Sequence, residues 1–366
     1  MKKLTIKEID TLIPYPPGKP IEELERDLGI QGSIKLASNE NPLGPSPLAV
    51  QAILDNVTRI NRYPDGSCYY LKRKLSNGFE FQPEQIIIGN GSNELIELII
   101  RTFLVPGEEV IQAFPTFLVY QKIVTSAGGR SISVPLKNLK IDLNDIKKVI
   151  TPKTKIIFIN NPNNPTGSAL SKGEVERFLG SIPEDILVVL DEAYIEFVRD
   201  RKAANGLDFI RDYPRVVVLR TFSKLYGLAG LRIGYGFSSR EIVDYMNRVR
   251  QPFNANSLAQ AAALAALDDK EFVKRTLDLV RDGLTYLFGR LAELGLEYCP
   301  TQTNFFLIKS PLGAERTYEL MLREGVIVRS MGSYGLDEYI RINVGLPEEN
   351  ERFIRSLAKV LRENPG

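Results

Sequence analysis

Three runs of this chain, KIIFIN at 155–160, ILVVL at 186–190 and RVVVLR at 215–220, are almost uninterrupted β-branched and apolar residues, and each stops abruptly at a polar cluster. Strands of this composition do not alternate apolar with polar, so neither face can meet water. They belong inside a mostly parallel sheet covered by helices on both sides. QIIIG at 85–89, EEVIQAF at 108–114 and RSISVPL at 130–136 read as further strands. SNELIELIIRTFL, with Ser92 or Asn93 as a candidate cap, and the segment opened by Ser171 with Glu174 at capping-box spacing read as helices between them. Strands alternating with helices predict an α/β fold.

Past about residue 250 the pattern changes. The stretch from Leu258 to Gly295 reads as long helical material, followed by NFFLIKS, VIVRS and YIRINVG as candidate strands and by a closing helix, NERFIRSLAKVLREN. The expected organisation is an N-terminal arm over 1–32, rich in proline at PYPPGKP, a large α/β domain over 33–249 and a smaller α+β domain over 250–366.

With 47 basic against 45 acidic residues, the chain carries no electrostatic footprint for nucleic acid or an anionic membrane. The N-terminal MKKLTIKEID has no apolar core of a signal peptide, and the longest apolar stretch, Ala261–Leu267, is too short to span a bilayer, so the expected location is the cytoplasm. Cys68 and Cys299 stand far apart, outside any metal or disulfide spacing, and no metal is expected. The chain has no histidine. That removes the commonest general base and every Ser-His or Cys-His dyad, leaving lysine, tyrosine and carboxylates for proton transfer near neutral pH.

In open parallel sheets ligands bind outside the carboxyl ends of the strands. After IIIG comes GNGSNE; after IIFI, NNPNNPTG; after ILVVL, DEAY; after RVVVLR, TFSK. Each has an ordinary reading: a tight turn, a proline loop, a solvated acid, a surface lysine. GNGSNE is not a dinucleotide fingerprint, because Glu94 occupies the place of its third glycine, and it lacks the ending of a P-loop. As a turn entering a helix it is still a candidate anion site. Asp191, directly after five apolar residues, is expected to be desolvated and to need a cationic partner.

Taken together, these ends describe a site for pyridoxal phosphate. Lys224 would supply the amine that condenses with the coenzyme aldehyde and would then serve as proton shuttle. Asp191 would face the pyridine nitrogen. Ser92 and Asn93 at the helix start, the hydroxyls of Thr221 and Ser223 and the charge of Arg232 would take the phosphate. Gly227, Gly230 and Gly234 would let the backbone come close.

ASNENPLGPSP, RYPDG, NNPNNPTG, DEAY and TFSKLYGLAGLRIGYG, in this order and spacing, resemble fold-type I pyridoxal phosphate enzymes, the class-II aminotransferases, and within them the histidinol-phosphate aminotransferases. The resemblance runs from PYPPGKP to YIRINVGLPEEN. It implies a homodimer in which Asn164 and Tyr194 hydrogen-bond the coenzyme's phenolic oxygen and Phe117 stacks on its ring. Many relatives have tyrosine in place of Phe117, which preserves stacking here and loses a hydroxyl. Tyr63 would reach the phosphate across the dimer interface; on its own it reads as a half-buried packing residue. Arg341 would bind a substrate carboxylate, and Arg329 with Tyr15 a substrate phosphate; without the resemblance, either arginine could be an outward-facing strand position. The implied reaction is ping-pong transamination between histidinol phosphate and 2-oxoglutarate, giving imidazole acetol phosphate and glutamate. Aromatic aminotransferases, threonine-phosphate decarboxylases and a non-catalytic coenzyme-binding module are the other readings of the same motifs.

Overall fold

In the computed structural model, residues 7–14 and 18–364 are described, and Tyr15 lies outside them. Strand β1 (Ile34–Lys35) precedes the strands of the central sheet: β2 (Ile86–Gly89), β3 (Glu109–Phe114), β4 (Arg130–Pro135), β5 (Thr154–Asn160), β6 (Leu187–Asp191), β7 (Val216–Thr221) and β8 (Gly234–Phe237). These seven are ordered β2-β8-β7-β6-β5-β3-β4. β8 runs antiparallel to β2 and β7, while the β3–β4, β3–β5, β5–β6 and β6–β7 pairs are parallel. The expected mostly parallel α/β sheet is the one observed.

Why the runs are unbroken is visible in where alternate residues go. Ile157 and Ile159 of β5, Val188 and Leu190 of β6, and Val216 and Val218 of β7 enter one apolar cluster. Ile156 and Phe158, Leu187 and Val189, and Val217 and Leu219, on the opposite face, enter a second. Successive strand residues point to opposite faces, and both faces are covered here, so every position must be apolar. Polar side chains are left with the strand ends.

Residues beyond the central sheet form β9 (Phe305–Lys309), β10 (Val326–Ile327), β11 (Arg329–Ser330) and β12 (Tyr339–Asn343). The strand expected over VIVRS is two strands in two sheets. β10 pairs in parallel with β1, and β11 pairs antiparallel with β12, which also pairs with β9. The chain changes partner at Val328, a buried residue between the two. A two-residue parallel pair thus ties the 34–35 segment to the C-terminal sheet. The helix Ile21–Leu28 buries Leu24 against Ala37 and Ile327 beside that pair.

Two local expectations are corrected. Neither Ser92 nor Asn93 caps the helix Gly91–Phe103; the N-cap is Asn90, without a side-chain cap bond, and Glu94 instead accepts from the Asn90 N–H at 2.5 Å. The long helical stretch breaks into Ser257–Ala266 and Lys270–Glu293. The break is Asp269, whose carboxylate accepts from the Phe272 N–H at 3.1 Å and from the Ser46 hydroxyl at 2.6 Å. An N-cap acid starts a new helix wherever it satisfies the otherwise orphaned first-turn donors. The capping box of Ser171 and Glu174 forms as the sequence predicts.

Asp269→Ala removes both bonds and is expected to lower the unfolding free energy by about 1–2 kcal/mol, read as a fall in urea midpoint at unchanged m-value. Asp269→Asn, which can still accept from Phe272, should lose less.

Candidate active site

The carboxyl ends of the central sheet open into a cavity of about 390 Å³. In register at that edge stand Asn160 opposite Asp191, and Gly234 opposite both Thr221 and Gly89. Another wall of the cavity comes from the C-terminal antiparallel sheet, where Arg329 and Arg341 are directly opposite one another.

Into this cavity the fold brings the anion-site candidates Ser92, Asn93, Thr221, Ser223 and Arg232, the strand-end residues Asn164, Asp191, Tyr194 and Lys224, the aromatic Phe117, and both arginines. Tyr63 is not among them. It stands 83% exposed, stacked on Phe253 with ring centroids 4.7 Å apart, so within one chain it is neither a cavity residue nor a half-buried packing residue.

Lys224 does not behave as a surface lysine. Its Nζ donates to the Ser38 carbonyl at 3.1 Å and lies 5.7 Å from the centre of the Tyr194 ring. Its pKa is pushed down to about 8, first by burial and then by the Arg341 guanidinium, with Arg232 adding and Glu40 opposing. Desolvation disfavours an ammonium, and nearby cations reinforce it, so this amine is largely free at mildly alkaline pH.

Asp191 is displaced in the other direction. It is buried, and burial raises its pKa to about 6 against the opposing hydrogen bonds of the Tyr120 hydroxyl and the Ala193 N–H. Tyr120 donates to Oδ2 at 2.5 Å, while Oδ1 has no hydrogen-bond partner among the described residues. No side chain among them supplies the cationic partner expected for this acid. A carboxylate held by one oxygen and bare at the other, facing a cavity, suits a ligand that brings its own N–H⁺.

Tyr120 is the residue the sequence reading missed. It is fully buried, stacks on Phe158 at 4.5 Å with the rings nearly parallel, and meets Phe117 edge-on. Its signal was available in PTFLVY, where it follows Phe117 by three residues and so falls on the same side of the helix Val119–Ser126 that begins there. Lys35, Ser38, Asn39 and Glu40, from β1 and the ASNEN stretch beyond it, also line the cavity. Asn39 donates to the Tyr194 hydroxyl at 2.9 Å, and burial pushes that phenol up to about 12.

At the far end, the N-cap of Gly91–Phe103, Asn90, makes no side-chain cap bond to the first turn. Arg232 lies over it, close enough that a Cβ on Gly91 would sit 2.5 Å from Nη2. The same guanidinium donates to the Ser223 hydroxyl at 3.3 Å. A Cβ on Gly234 would sit 2.5 Å from the Ser92 nitrogen, so glycine is what lets β8 approach the turn. Free N–H groups, hydroxyls and one arginine are the donor set of a phosphate site. Arg341 is buried; it donates to Asn164 Oδ1 and, at 2.7 Å, to the Ala37 carbonyl, and its Nε has no partner among the described residues. An anion cradle, a lowered amine and a half-satisfied acid lining one cavity fit pyridoxal phosphate.

The family model for aminotransferase class I and II matches residues 31–357. The chain is 46% identical over 349 residues to a histidinol-phosphate aminotransferase of Moorella thermoacetica, covering 95% of this chain and 90% of that protein. It is 47% identical over 365 residues to one of Desulfotalea psychrophila, covering 99% and 96%. Among solved structures it is similar to histidinol-phosphate aminotransferase from Sinorhizobium meliloti in complex with pyridoxal-5'-phosphate, with a TM-score of 0.90 at 30% identity over 98% of this chain and 97% of that one.

The lowered amine has a direct readout. In coenzyme-free protein, modification of Lys224 by an amine-directed reagent such as trinitrobenzenesulfonate should speed up as pH rises, with a midpoint near 8 rather than the ordinary 10.5. Peptide mapping assigns the modified residue; a midpoint above pH 10 would contradict the electrostatics described.

Proposed function

The chain belongs to the class I and II aminotransferases, and on that premise we propose that it moves an amino group between histidinol phosphate and 2-oxoglutarate, giving imidazole acetol phosphate and glutamate. It is a pyridoxal-phosphate-dependent transaminase. The observation that carries the substrate reading is the pair of arginines, Arg329 and Arg341, in register across one sheet and facing the cavity that holds Lys224. Alternating between a dicarboxylate and a phosphate monoester requires the same pocket to accept two differently shaped dianions. Two planar guanidinium forks supply bidentate donors for either. The names of the relatives support the same pair of substrates.

When bound, the coenzyme supplies a reactive aldehyde and a protonated ring that draws electrons from the substrate carbon. The residues then divide the work. Lys224 Nζ would hold the coenzyme and would serve as the base for the proton on the amino-bearing carbon of the substrate; an amine with a pKa near 8 can give and take a proton near neutrality. Asp191 Oδ1 would accept from the ring nitrogen and keep it protonated, while the Tyr120 hydroxyl holds Oδ2 in place. Tyr194 and Asn164 would bind the phenolic oxygen, and Phe117 would cover a ring face. Ser92, Asn93, Thr221, Ser223 and Arg232 bind the phosphate. Arg341 takes the carboxylate of glutamate, and Arg329 with Tyr15 the phosphate of histidinol phosphate.

The working unit in this reading is a homodimer. Leu54, Ile60, Tyr63 and Tyr70 are 61%, 62%, 83% and 72% exposed. A run of large apolar side chains left open along one segment is characteristic of a protein interface. A second copy covering it would deliver Tyr63 to the neighbouring cavity.

Two measurements test the assignment. In the coenzyme-loaded protein, histidinol phosphate should convert the coenzyme's visible absorption band at far lower concentration than phenylalanine does; the reverse order would make the protein an aromatic aminotransferase. Lys224→Ala should remove transamination while leaving the circular dichroism spectrum unchanged, and Asp191→Asn should lower kcat by roughly a hundredfold or more, the scale of a lost electrostatic contact at the reacting group.

A further inference from the structure

Glu94 is the residue that keeps GNGSNE from being a dinucleotide fingerprint, and it places a carboxylate in the first turn of the helix whose start is the anion cradle. An acid so close to a bound phosphate is electrostatically unfavourable. The structure shows what occupies it. Glu94 Oε2 accepts from the Asn90 N–H at 2.5 Å and from the Asn254 side-chain amide at 2.6 Å. The same amide also donates to the Ile88 carbonyl at 3.0 Å, so Asn254 clamps the end of β2 to the first turn of the helix it enters.

Asn254 is itself held. Its Oδ1 accepts from Arg250 Nη1 at 2.6 Å, and Arg250 Nη2 donates to the Gly66 carbonyl at 3.0 Å. Gly66 belongs to RYPDG, the loop that carries Tyr63. Phe253, between the two relay residues, has φ +57° and stacks on Tyr63. A left-handed backbone is strained for a bulky residue and persists only when its surroundings enforce it.

We infer that Arg250, Asn254 and Glu94 form a positioning relay joining the anion-binding turn at 90–94 to the loop bearing Tyr63, so that an anion seated at the turn fixes the placement of Tyr63. This rests on the reading of that turn as the phosphate site. The connection is continuous: Asn90 N–H to Glu94, Glu94 to Asn254, Asn254 to Arg250, Arg250 to Gly66. Every link involves the charged side chain of Glu94 or Arg250, the stronger kind of hydrogen bond. The three are positioning residues, since none lines the cavity.

The absence of tryptophan from the chain supplies the test. Tyr63→Trp introduces a single indole on the loop, and inorganic phosphate, which does not absorb in that range, is titrated into the coenzyme-free protein. Phosphate should shift the indole emission. Adding Asn254→Ala should abolish the shift even at saturating phosphate and weaken phosphate, measured by competition with pyridoxal phosphate, by about tenfold, the loss of one charge-assisted hydrogen bond. Glu94→Gln, which keeps the shape and removes the charge, weakens the link to Asn254 and should reduce the indole shift at saturating phosphate, even though loss of a negative charge beside the anion does not itself weaken phosphate. It decides the question alone if Asn254→Ala does not fold. Arg232→Gln serves as the control for the phosphate site. If it weakens phosphate while the indole never responds, or responds equally with Asn254→Ala or Glu94→Gln, the relay is overturned and the site stands. If Arg232→Gln leaves phosphate affinity unchanged, the turn is not the phosphate site and the relay falls with it.

Discussion

Burial of both faces of the central sheet is the constraint from which the rest of this structure follows. Alternate residues of β5, β6 and β7 feed two separate apolar clusters, so the middles of these strands, Ile156–Ile159, Leu187–Leu190 and Val216–Leu219, hold no polar side chain. An unpaired polar group there would cost several kcal/mol. Polar chemistry is thereby confined to the carboxyl edge, where Asn160, Asp191 and Thr221 end their strands. The same burial that fixes the fold also concentrates the reactive groups in one place, at the boundary between a dry interior and a cavity.

That boundary tunes the groups as well as collecting them. Low polarity disfavours whichever form is charged, so one environment moves Lys224 down to about 8 and Asp191 up to about 6. Two groups that ordinarily titrate far apart are brought towards neutrality from opposite sides. Arg341 adds to this for Lys224 and opposes burial at Tyr194. In a chain without histidine, desolvation takes over the task of placing proton-transfer groups near physiological pH.

The sheet and the helices that cover it were legible because their signal is local: unbroken β-branched runs, a capping box at Ser171, turn residues at each strand end. The cavity was legible for a related reason, since the carboxyl ends of neighbouring strands must meet at one edge, and twelve of the residues singled out there or by resemblance do line it. What escaped was set by tertiary context. The split of VIVRS between two sheets depends on β1, which lies almost three hundred residues away. Tyr120 looks like any aromatic on an amphipathic helix until its hydroxyl is seen on Asp191. The break at Asp269 was readable as an N-cap, but a long apolar periodicity on either side masked it. Tyr63 is named by the resemblance alone; read by itself it suggests a half-buried packing residue, and its exposed position has no explanation inside a single chain.

Asp191 and Glu192 show how far the arrangement is built for a ligand rather than for stability alone. They are consecutive and both buried, yet they lie on opposite sides of the sheet end and are treated differently. Glu192 is met by Arg220 through two hydrogen bonds to Oε2, at 3.0 and 2.8 Å, and the Arg220 guanidinium is completed by Asn205. That pair satisfies itself within the chain, as a buried ion pair must if it is not to destabilise the fold. Asp191 is met by neutral donors, the Tyr120 phenol on Oδ2 and the Ala193 N–H, and among the described residues its Oδ1 makes no hydrogen bond and faces no cation. Had stability been the only requirement, the simplest sequence would place an apolar residue at this strand end. A buried acid with an open oxygen has a favourable interaction still to make, and a cationic ring nitrogen would supply it. In the proposed role, coenzyme binding and folding would be linked through that oxygen: what binds the folded chain there, and not the unfolded one, stabilises it with the logarithm of its concentration over its dissociation constant.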